Sequence, residues 1–452
     1  MSFIMDKLDN INELLCKYNY AVPRYTSFPP ATKFTQDISQ SDYTALLKGL
    51  PSSNAVSLYV HIPFCHELCL YCGCNTKVLN SYSPVESYIK LLLSEITLVG
   101  ESTNGKLPVN LLHFGGGSPN YLKPNDLKLI VAHISEFFDI SKQTSIDIES
   151  DPRHLGGEMI KAFVDIGVTR ISLGVQDFNH DVQIAINRVQ PFEQVKACVK
   201  KLRDNGINKI NFDLIIGLPN QTIETVTDTA HLAASLSPDR LAVFPYAHVP
   251  WMKKHQKLLE KYPMADGKER FLMNEAVDTV LKSHDYKAIG TDHYAKSSDS
   301  LAVAQNNGVL RRNFQGYTVD ISEAIIGFGH SSISSFKSAY VQNTITPADY
   351  RNAINNGEFP VNRGVKLSEN DQGLSRLIEE LMCNFKVNLE GYKDYIGSDY
   401  SDKLATLIQD GLVIMDGMQL IITDKGKPFT RVVASCFDPY FEKQENQHAK
   451  AI

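Results

Sequence analysis

The sequence lacks the features that mark membrane-spanning and nucleic-acid-binding proteins. No apolar run in its 452 residues approaches the roughly 18 residues that a membrane span needs. The formal net charge is −6, so the chain has no excess of positive charge with which to bind a nucleic acid or an anionic membrane. Low-complexity tracts are also missing. The sequence therefore predicts a globular protein with neither a membrane span nor a nucleic-acid partner.

A secretory signal and an evenly spread set of cysteines are absent as well. The first residues, MSFIMDKLDNINELL, mix acidic and apolar positions and contain no basic segment before an apolar one. Four of the eight cysteines lie between Cys65 and Cys74, whereas the other four are scattered. A disulfide framework would not group its cysteines in this way in so long a chain. We therefore expect a cytoplasmic protein that uses the grouped cysteines to bind metal.

Length and composition predict two to three domains. Hydrophobic residues make up 43% and charged residues 21% of the chain, which excludes a disordered or fibrous protein. We place an N-terminal extension at residues 1–54, a central domain at residues 55–365 and a mainly helical domain at residues 366–452. The proline-rich N-terminal extension is expected to lie across the central domain and cover its active site.

The central domain alternates β-rich runs with amphipathic segments, which is typical of βα units around a parallel sheet. The six runs are Ser57–Ile62, Asn110–Phe114, Ser145–Glu149, Arg170–Val175, Lys209–Ile216 and Arg240–Phe244. Six such units predict an α/β fold, an open partial (β/α)6 barrel resembling a TIM barrel, with eight units needed for closure. A seventh strand-like run, Lys287–Asp292, follows a further helix. Catalytic residues are expected where the strands end.

The C-terminal domain has a different pattern, two helices followed by a hairpin. The helices are predicted at Gln372–Cys383 and Tyr400–Asp410, and the hairpin turns at Asp416 and Gly417. This order suggests a winged-helix-like domain. Because the chain is acidic and has no basic recognition helix, we expect the domain to pack against the barrel or cover the site and not to bind DNA.

The grouped cysteines have the spacing C-x3-C-x2-C, at Cys65, Cys69 and Cys72. Three thiolates on one short loop can hold one iron-sulfur cluster. Structural zinc is the alternative, but zinc usually takes two separated ligand pairs, and the sequence has no second pair. If Cys74 is not a ligand, one iron of a [4Fe-4S] cluster stays open for catalysis.

With these motifs, the sequence resembles the radical S-adenosylmethionine (radical SAM) superfamily and, within it, the oxygen-independent coproporphyrinogen III oxidases. The resemblance covers nearly the whole chain. It rests on Pro23–Ser27, Leu58–Cys65, Cys72–Asn75, Gly115–Pro119, Glu149–Pro152, Gly174–Phe178, Asn211–Ile215, Tyr246–His248 and Arg312–Tyr317.

The resemblance implies a [4Fe-4S] cluster on Cys65, Cys69 and Cys72 and two molecules of SAM. The cluster would reduce the first SAM and so generate a 5′-deoxyadenosyl radical. The residues implied for the first SAM are Tyr59, Gly116 and Glu149. Those implied for the second SAM are Tyr71, Gly117, Ser118, Gln176, Arg188, Asp213, Ala247 and Ile333.

The implied substrate is coproporphyrinogen III, two of whose propionates become vinyl groups. Arginine is the natural partner of a carboxylate, and Arg24, Arg311 and Arg312 are candidates to bind the propionates, with Tyr25 covering the site. We further expect a monomer that receives electrons from a carrier such as flavodoxin or ferredoxin.

Two related functions compete with this interpretation. One is a haem-binding chaperone of the same fold, which typically has an aromatic residue at the position of Cys74 and lacks the segment Arg24–Ser27. The other is a haem-utilising radical SAM methyltransferase, which the segments Pro23–Ser27 and Tyr246–His248 disfavour. This sequence departs from the oxidase pattern at Phe28, Pro30, Ser118, Asn120 and His330.

Overall fold

The structure, a computed structural model, describes residues 12–442. Its centre is one large sheet, whose principal strands we number β1 to β12. The first six are β1 (Val56–Ile62), β2 (Leu107–Gly116), β3 (Ser145–Ser150), β4 (Arg170–Gln176), β5 (Lys209–Ile216) and β6 (Arg240–Pro245). The others are β7 (Tyr286–Ile289), β8 (His293–Lys296), β9 (Ile325–Phe328), β10 (Ile333–Phe336), β11 (Ala339–Asn343) and β12 (Val361–Lys366).

Strands β1 to β6 lie side by side in chain order, and every neighbouring pair is parallel. The six strand runs predicted from the sequence match these strands to within three residues at each end. Consecutive parallel strands need a crossover, and helices fill that role here. The carboxyl ends of all six strands therefore meet at one edge of the sheet.

One helix precedes β1 in the N-terminal extension, and the others lie between these strands, in the predicted order. They are α1 (Gln40–Lys48), α2 (Ser83–Glu101), α3 (Pro124–Phe137), α4 (Gly157–Asp165), α5 (His180–Ala185), α6 (Phe192–Asp204), α7 (Ile223–Ser235), α8 (Gly267–Ser283), α9 (Ser300–Asn306) and α10 (Pro347–Asn355). In β5, Ile210, Phe212 and Leu214 are buried in the main hydrophobic core with apolar side chains of the helices. The intervening β5 residues, including Asp213, point to the opposite face of the strand.

The seventh strand-like run does not continue the parallel series. Strands β7 and β8 form an antiparallel hairpin, and β8 pairs antiparallel with β6. The turn between them contains Gly290, which has a φ of 54°. After this turn the chain folds back as β8, which lies between β6 and β7 and is antiparallel to both. A further parallel neighbour of β6 would need a crossover helix in its place, so the parallel series ends at six strands.

The other end of the sheet carries an extension that the sequence pattern did not reveal. Strand β9 pairs parallel with β1, and β10, β11 and β12 then continue in antiparallel order. The sheet is a linear path from β7 to β12, so its two end strands are not paired with each other.

The C-terminal part contains helices α11 (Glu369–Asn384), α12 (Tyr400–Gln409) and α13 (Thr430–Ser435). Its strands β13 (Lys386–Asn388), β14 (Val413–Asp416) and β15 (Gln419–Ile422) form an antiparallel sheet in the order β13, β15, β14. The two predicted helices and the predicted hairpin are present, and the structure adds β13 and α13. Within residues 12–442, no helix is both long enough and apolar enough to cross a membrane.

The N-terminal extension divides between two cores. Leu14, Tyr18, Val22 and Phe28 are buried with side chains of the C-terminal helices and strands, whereas helix α1 packs on the central domain. The hydroxyl of Tyr18 also donates to Asp410 at the end of α12. The first and last parts of the chain therefore share one hydrophobic core, which the sequence pattern did not predict.

A buried carboxylate ties the extension of the sheet to helix α2. Glu95 is 1% exposed and accepts hydrogen bonds from Gly329 N at 2.7 Å, Asn343 Nδ2 at 2.6 Å and the Tyr350 hydroxyl at 2.6 Å. We expect Glu95→Ala to lower the free energy of unfolding by about 3 kcal/mol, because three buried donors lose their acceptor. Urea unfolding measures this loss, and an unchanged midpoint would contradict it.

The same carboxyl group predicts a pH dependence of stability. Burial raises the pKa of Glu95 to about 7, although its three hydrogen bonds oppose the rise. Between about pH 4 and 7 the folded chain binds one more proton than the unfolded chain, so the free energy of unfolding falls as pH rises, by up to about 3 kcal/mol. The Glu95→Gln variant should lose this pH-dependent part of the free energy of unfolding, whereas Glu158→Gln, at an exposed site, should retain it. Parallel urea titrations at acidic and neutral pH test the difference.

Candidate active site

The cysteine loop leaves strand β1 at the carboxyl edge of the sheet. Cys65, Cys69 and Cys72 all line one cavity there, as the sequence predicts for the ends of parallel strands. A segment after β6 holds the loop, because Gln256 Nε2 donates to the carbonyl of Tyr71 at 2.8 Å. Lys253 Nζ likewise donates to the carbonyl of Cys74 at 2.9 Å. The loop is therefore held from outside the cavity while its three sulfurs face inward.

Most of the predicted site residues line this same cavity, and so the fold brings together side chains from five strand ends. The residues in common are Cys65, Cys69, Tyr71, Cys72, Gly116, Gly117, Ser118, Glu149, Gln176, Arg188 and Asp213. The cavity is also lined by Asp151, Ser172 and Phe244, which the sequence did not single out.

Each of the three cysteine sulfurs has a hydrogen-bond donor of its own. Ser118 Oγ lies 3.7 Å from the sulfur of Cys65, Arg188 Nη1 lies 3.4 Å from that of Cys69, and the amide of Cys74 lies 3.4 Å from that of Cys72. Hydrogen bonds from Cys74 lower the pKa of the Cys72 thiol to about 6, whereas burial raises that of Cys65 to about 11. Donors aimed at sulfur stabilise thiolates, the form that binds iron.

The donor set fits a cubane cluster. In residues 12–442 no three His, Cys, Asp or Glu side chains converge closely enough to hold a single metal ion. Thiolates that hold a cubane bind separate iron atoms and need not meet at one point. Three inward-facing sulfurs with donors to each, on one loop, are what a [4Fe-4S] cluster requires. The residues at this site therefore fit the cluster.

The glycine run at the end of β2 lets the cysteine loop pack against the strand. A Cβ atom at Gly116 would lie 2.4 Å from the His61 ring, and one at Gly117 would lie 2.6 Å from the Phe64 carbonyl oxygen. The two backbone amides are occupied, because Gly116 N donates to Glu149 and Gly117 N donates to the Ile62 carbonyl. Both amides therefore bond to protein groups, and the missing side chains leave room for the His61 ring and the Phe64 carbonyl.

Glu149, at the end of β3, is held by a histidine that the sequence analysis missed. His113 Nε2 lies 3.3 Å from Glu149 Oε1, and the His113 ring stacks on Tyr59 at a centroid distance of 5.8 Å. Burial opposes ionisation, but His113 and the Gly116 amide hold the pKa of Glu149 below its ordinary value. His113 lies two residues before Gly115, so the period-two pattern of a strand would have placed it on the same face.

Asp151 forms a second network, beside Cys69. It accepts hydrogen bonds from Arg153 Nη2 at 2.7 Å and Arg188 Nη1 at 3.1 Å, and both arginines also approach the sulfur of Cys69. Burial opposes ionisation, yet the two arginines lower the pKa of Asp151 to about 2. The Nε atom of Arg188 is buried and has no hydrogen-bond partner in residues 12–442. A ligand acceptor in the cavity would satisfy it.

Gln176 and Asp213 complete the far wall of the cavity. A bulge between Gly174 and Gln176 leaves Gln176 with a φ of 66°, a left-handed conformation that is uncommon outside glycine and that redirects the side chain. Both carboxylate oxygens of Asp213 accept from Ser172 Oγ, at 3.2 and 3.1 Å. Burial, followed by the charge of Glu149, raises the pKa of Asp213 to about 7.

Seven predicted residues do not line the cavity. The ring of Tyr59 stacks on that of His113, the carbonyl of Ala247 accepts from Gln256, and Ile333 begins β10 in the extension. The remaining four are the candidate substrate residues Arg24, Tyr25, Arg311 and Arg312. Tyr25 is 5% exposed and donates its hydroxyl to Asp438 at 3.0 Å. Arg311 Nε bonds Glu379 at 2.7 Å.

Comparison with known proteins gives consistent results. The family model described as the radical SAM superfamily matches residues 59–233. An oxygen-independent coproporphyrinogen III oxidase from Bradyrhizobium diazoefficiens is 39% identical, with 95% of this chain and 97% of the relative covered. The enzyme of that name from Helicobacter pylori is 36% identical, with 97% and 99% covered.

A solved structure resembles almost the entire chain. It is the coproporphyrinogen III oxidase of Escherichia coli, described as a radical SAM enzyme, and it superposes with a TM-score of 0.88 at 34% identity. The similarity covers 95% of this chain and 98% of that one. The chain belongs to the family of oxygen-independent coproporphyrinogen III oxidases, within the radical SAM superfamily.

Proposed function

We propose that the protein catalyses the oxidative decarboxylation of coproporphyrinogen III to protoporphyrinogen IX. For each of two propionates, one hydrogen atom leaves the β-carbon, the carboxyl group leaves as carbon dioxide, one electron passes to an acceptor and a vinyl group forms. The observation that carries the proposal is the meeting of three cysteine sulfurs with Glu149 and Arg188 in one cavity, in a chain similar to these oxidases from end to end.

Cys65, Cys69 and Cys72 would hold a [4Fe-4S] cluster in this cavity. When bound, the cluster and SAM supply one-electron reduction and the abstraction of a hydrogen atom. Glu149 would orient the first SAM through a charge-assisted hydrogen bond, together with Tyr59 and Gly116. His113 would keep the carboxylate of Glu149 ionised and fix its direction.

We place a second SAM molecule beside the first, on the far wall. Its proposed contacts in the cavity are Tyr71, Gly117, Ser118, Gln176, Arg188 and Asp213. The resemblance adds Ala247 and Ile333, which do not line the cavity in this structure. The buried, unsatisfied Nε of Arg188 supports an acceptor group at this position, and the carboxyl of Asp213 suits a cationic group. A haem carrier, the alternative function, does not need a second SAM site.

Asp213 gives this second site a pH dependence. Because its pKa is about 7, the carboxyl is mostly neutral below that pH and mostly charged above it. We expect the KM for SAM to fall several-fold between about pH 6 and 8 in the wild type and to stay constant in Asp213→Asn. The exposed Asp204→Asn variant should retain the wild-type dependence. Equal slopes in all three proteins would count against the assignment.

The finer architecture is also proposed. We infer that β1 to β6 curve into an open partial (β/α)6 barrel, since sequential parallel order and two unpaired sheet ends suit that shape. We infer a winged-helix-like domain at residues 366–452, which is supported by helices followed by a three-stranded antiparallel sheet. We also propose the divisions at residues 54 and 365, the second of which falls at the last residues of β12.

The reaction also needs partners. Each cleavage of SAM consumes one electron, and we propose a small carrier such as flavodoxin or ferredoxin as its donor. We propose that the chain works as a monomer, because one chain supplies all three cysteines and the surrounding wall.

An anaerobic assay tests the proposed function. The reconstituted protein receives reductant, SAM and coproporphyrinogen III, and 5′-deoxyadenosine and protoporphyrinogen IX are quantified. We expect both products, with two molecules of carbon dioxide for each protoporphyrinogen IX. Tight binding of haem with neither product would instead support the haem carrier.

A further inference from the structure

A second cavity, distinct from the one at the cysteines, is lined by arginines from four separate segments. Arg24 comes from the N-terminal extension, Arg270 from helix α8, Arg312 from a short strand (Arg311–Asn313) that forms a hairpin with Gly316–Thr318, and Arg431 from helix α13. We call this the arginine cavity. Its volume is about 100 Å³, which suits a carboxylate-bearing arm and is too small for a macrocycle.

Three of the arginines, Arg24, Arg270 and Arg312, line the arginine cavity beside a single carboxylate from the described residues. Asp292 is the only carboxylate that lines it among residues 12–442, and the further cation Lys427 pairs with Asp424 at 2.8 Å on the exposed side. Burial and then the charges of Arg24 and Arg312 lower the pKa of Arg431 to about 10. Like charges held this close repel one another, and an anion between them relieves the repulsion.

Arg312 has side-chain donors without a hydrogen-bond partner in the described part of the chain. Its side chain is 5% exposed, and within the described residues neither Nε nor Nη1 has a hydrogen-bond partner. Its Nη2 lies 3.5 Å from the Arg24 carbonyl and 3.8 Å from Asp292, and the guanidinium stacks on Tyr317 at 4.4 Å. Buried donors are normally satisfied, and a planar guanidinium fixed by an aromatic ring matches the two oxygens of a carboxylate.

The arginine cavity adjoins the cavity at the cysteines across the end of β6. Phe244 lines the cysteine cavity, and its neighbours Val243 and Pro245 line the arginine cavity. The ring of His293 contacts Phe244 at a centroid distance of 5.6 Å, and its Nδ1 lies 2.6 Å from Asp292. Because neighbouring residues of a strand point to opposite faces, the two cavities lie on either side of the end of β6, and a ligand with several carboxylate arms would occupy both by passing around that strand end.

We infer that the arginine cavity binds a carboxylate, and that this is a propionate of the porphyrinogen that is not reacting. The occupant rests on the proposed function, whereas the carboxylate chemistry rests on the unsatisfied donors of Arg312 and on Arg24 and Arg270 beside it. SAM also carries a carboxylate that the arginine cavity could bind. The experiment must therefore distinguish binding of SAM from binding of the porphyrinogen. Arg311, bonded to Glu379, is not part of this site.

The test combines Arg270→Gln and Arg312→Gln in the reconstituted holoenzyme, with Arg376→Gln on the exposed face of α11 as the control for the loss of one such charge. Binding of the tetracarboxylate coproporphyrin III, followed by its fluorescence, gives a readout independent of turnover. We expect the double variant to raise its Kd and the KM for coproporphyrinogen III at least about 10-fold, and Arg376→Gln to leave both unchanged. The KM for SAM, measured through 5′-deoxyadenosine formation without substrate, should not change.

Other outcomes overturn the inference. A raised KM for SAM with unchanged porphyrin binding would assign the cavity to SAM, and unchanged values for both would show that the arginines bind no ligand. If the double variant does not fold, the single Arg270→Gln variant, at a half-buried site, decides by the same criteria. Failure of the wild type to form protoporphyrinogen IX would refute the proposed function, whereas a wild type that turns over with insensitive variants would refute this inference alone.

Discussion

Replacing Cys69 by alanine is expected to abolish cluster assembly and lower activity by more than about 100-fold, since losing even an outer partner of a metal ligand costs about 10 to 100-fold. Cys69 is 8% exposed, its sulfur faces the cavity and Arg188 lies 3.4 Å from that sulfur. Iron and labile sulfide analysis after anaerobic reconstitution, together with 5′-deoxyadenosine formation, gives the measurement. The same loss is expected for Cys65→Ala and Cys72→Ala.

Cys198→Ala is the matched control. Its thiol is buried on α6 among apolar side chains and does not line the cavity. This variant should keep the full content of iron and sulfide. Its free energy of unfolding should fall only slightly. A full cluster in Cys69→Ala, or zinc without labile sulfide in the wild type, would contradict the ligand assignment.

Gly117→Ala is expected to be almost as damaging, although it removes no ligand. The added methyl group would lie 2.6 Å from the Phe64 carbonyl oxygen and 2.9 Å from that of Ile62, so the start of the cysteine loop must move away from β2. A shift of about 1 Å in a reacting group costs roughly 100-fold in rate. We expect lower cluster occupancy and a loss of that order in SAM cleavage.

Gly157→Ala is the control, because it makes the same substitution of glycine by alanine at a site where the added methyl group has space. A Cβ atom at Gly157 would have no other atom within 4 Å, and the residue begins helix α4, where alanine is favourable. Its cluster content and rate should equal those of the wild type. If Gly117→Ala also retains both, the close packing of loop and strand has no role in the site.

The sequence predicts the centre of the fold well, because strand and helix periodicities differ strongly there. Strand β5 was located at Lys209–Ile216, as observed, since its alternate residues are buried. The hairpin β7–β8 and the extension β9–β12 were not foreseen. Short strands carry little periodicity, and periodicity does not reveal the direction in which a strand pairs.

The site was predictable to the extent that motifs mark it. Eleven predicted residues line one cavity, but His113 and Asp151, which hold Glu149 and Arg188, were missed because their roles depend on contacts across strands. The arginine cavity illustrates the same limit. Arg24 and Arg312 were candidates, whereas Arg270 and Arg431 joined them only through the meeting of distant segments.

The core shared by Leu14 to Phe28 and the C-terminal helices has a consequence for synthesis. Its two halves are separated by about 400 residues, so this core cannot close until the residues up to Phe437 have left the ribosome. The central sheet can form earlier, because its strands follow one another in order. A nascent chain therefore exposes the apolar side of its N-terminal segment throughout translation, and a product shortened after residue 365 would keep it exposed.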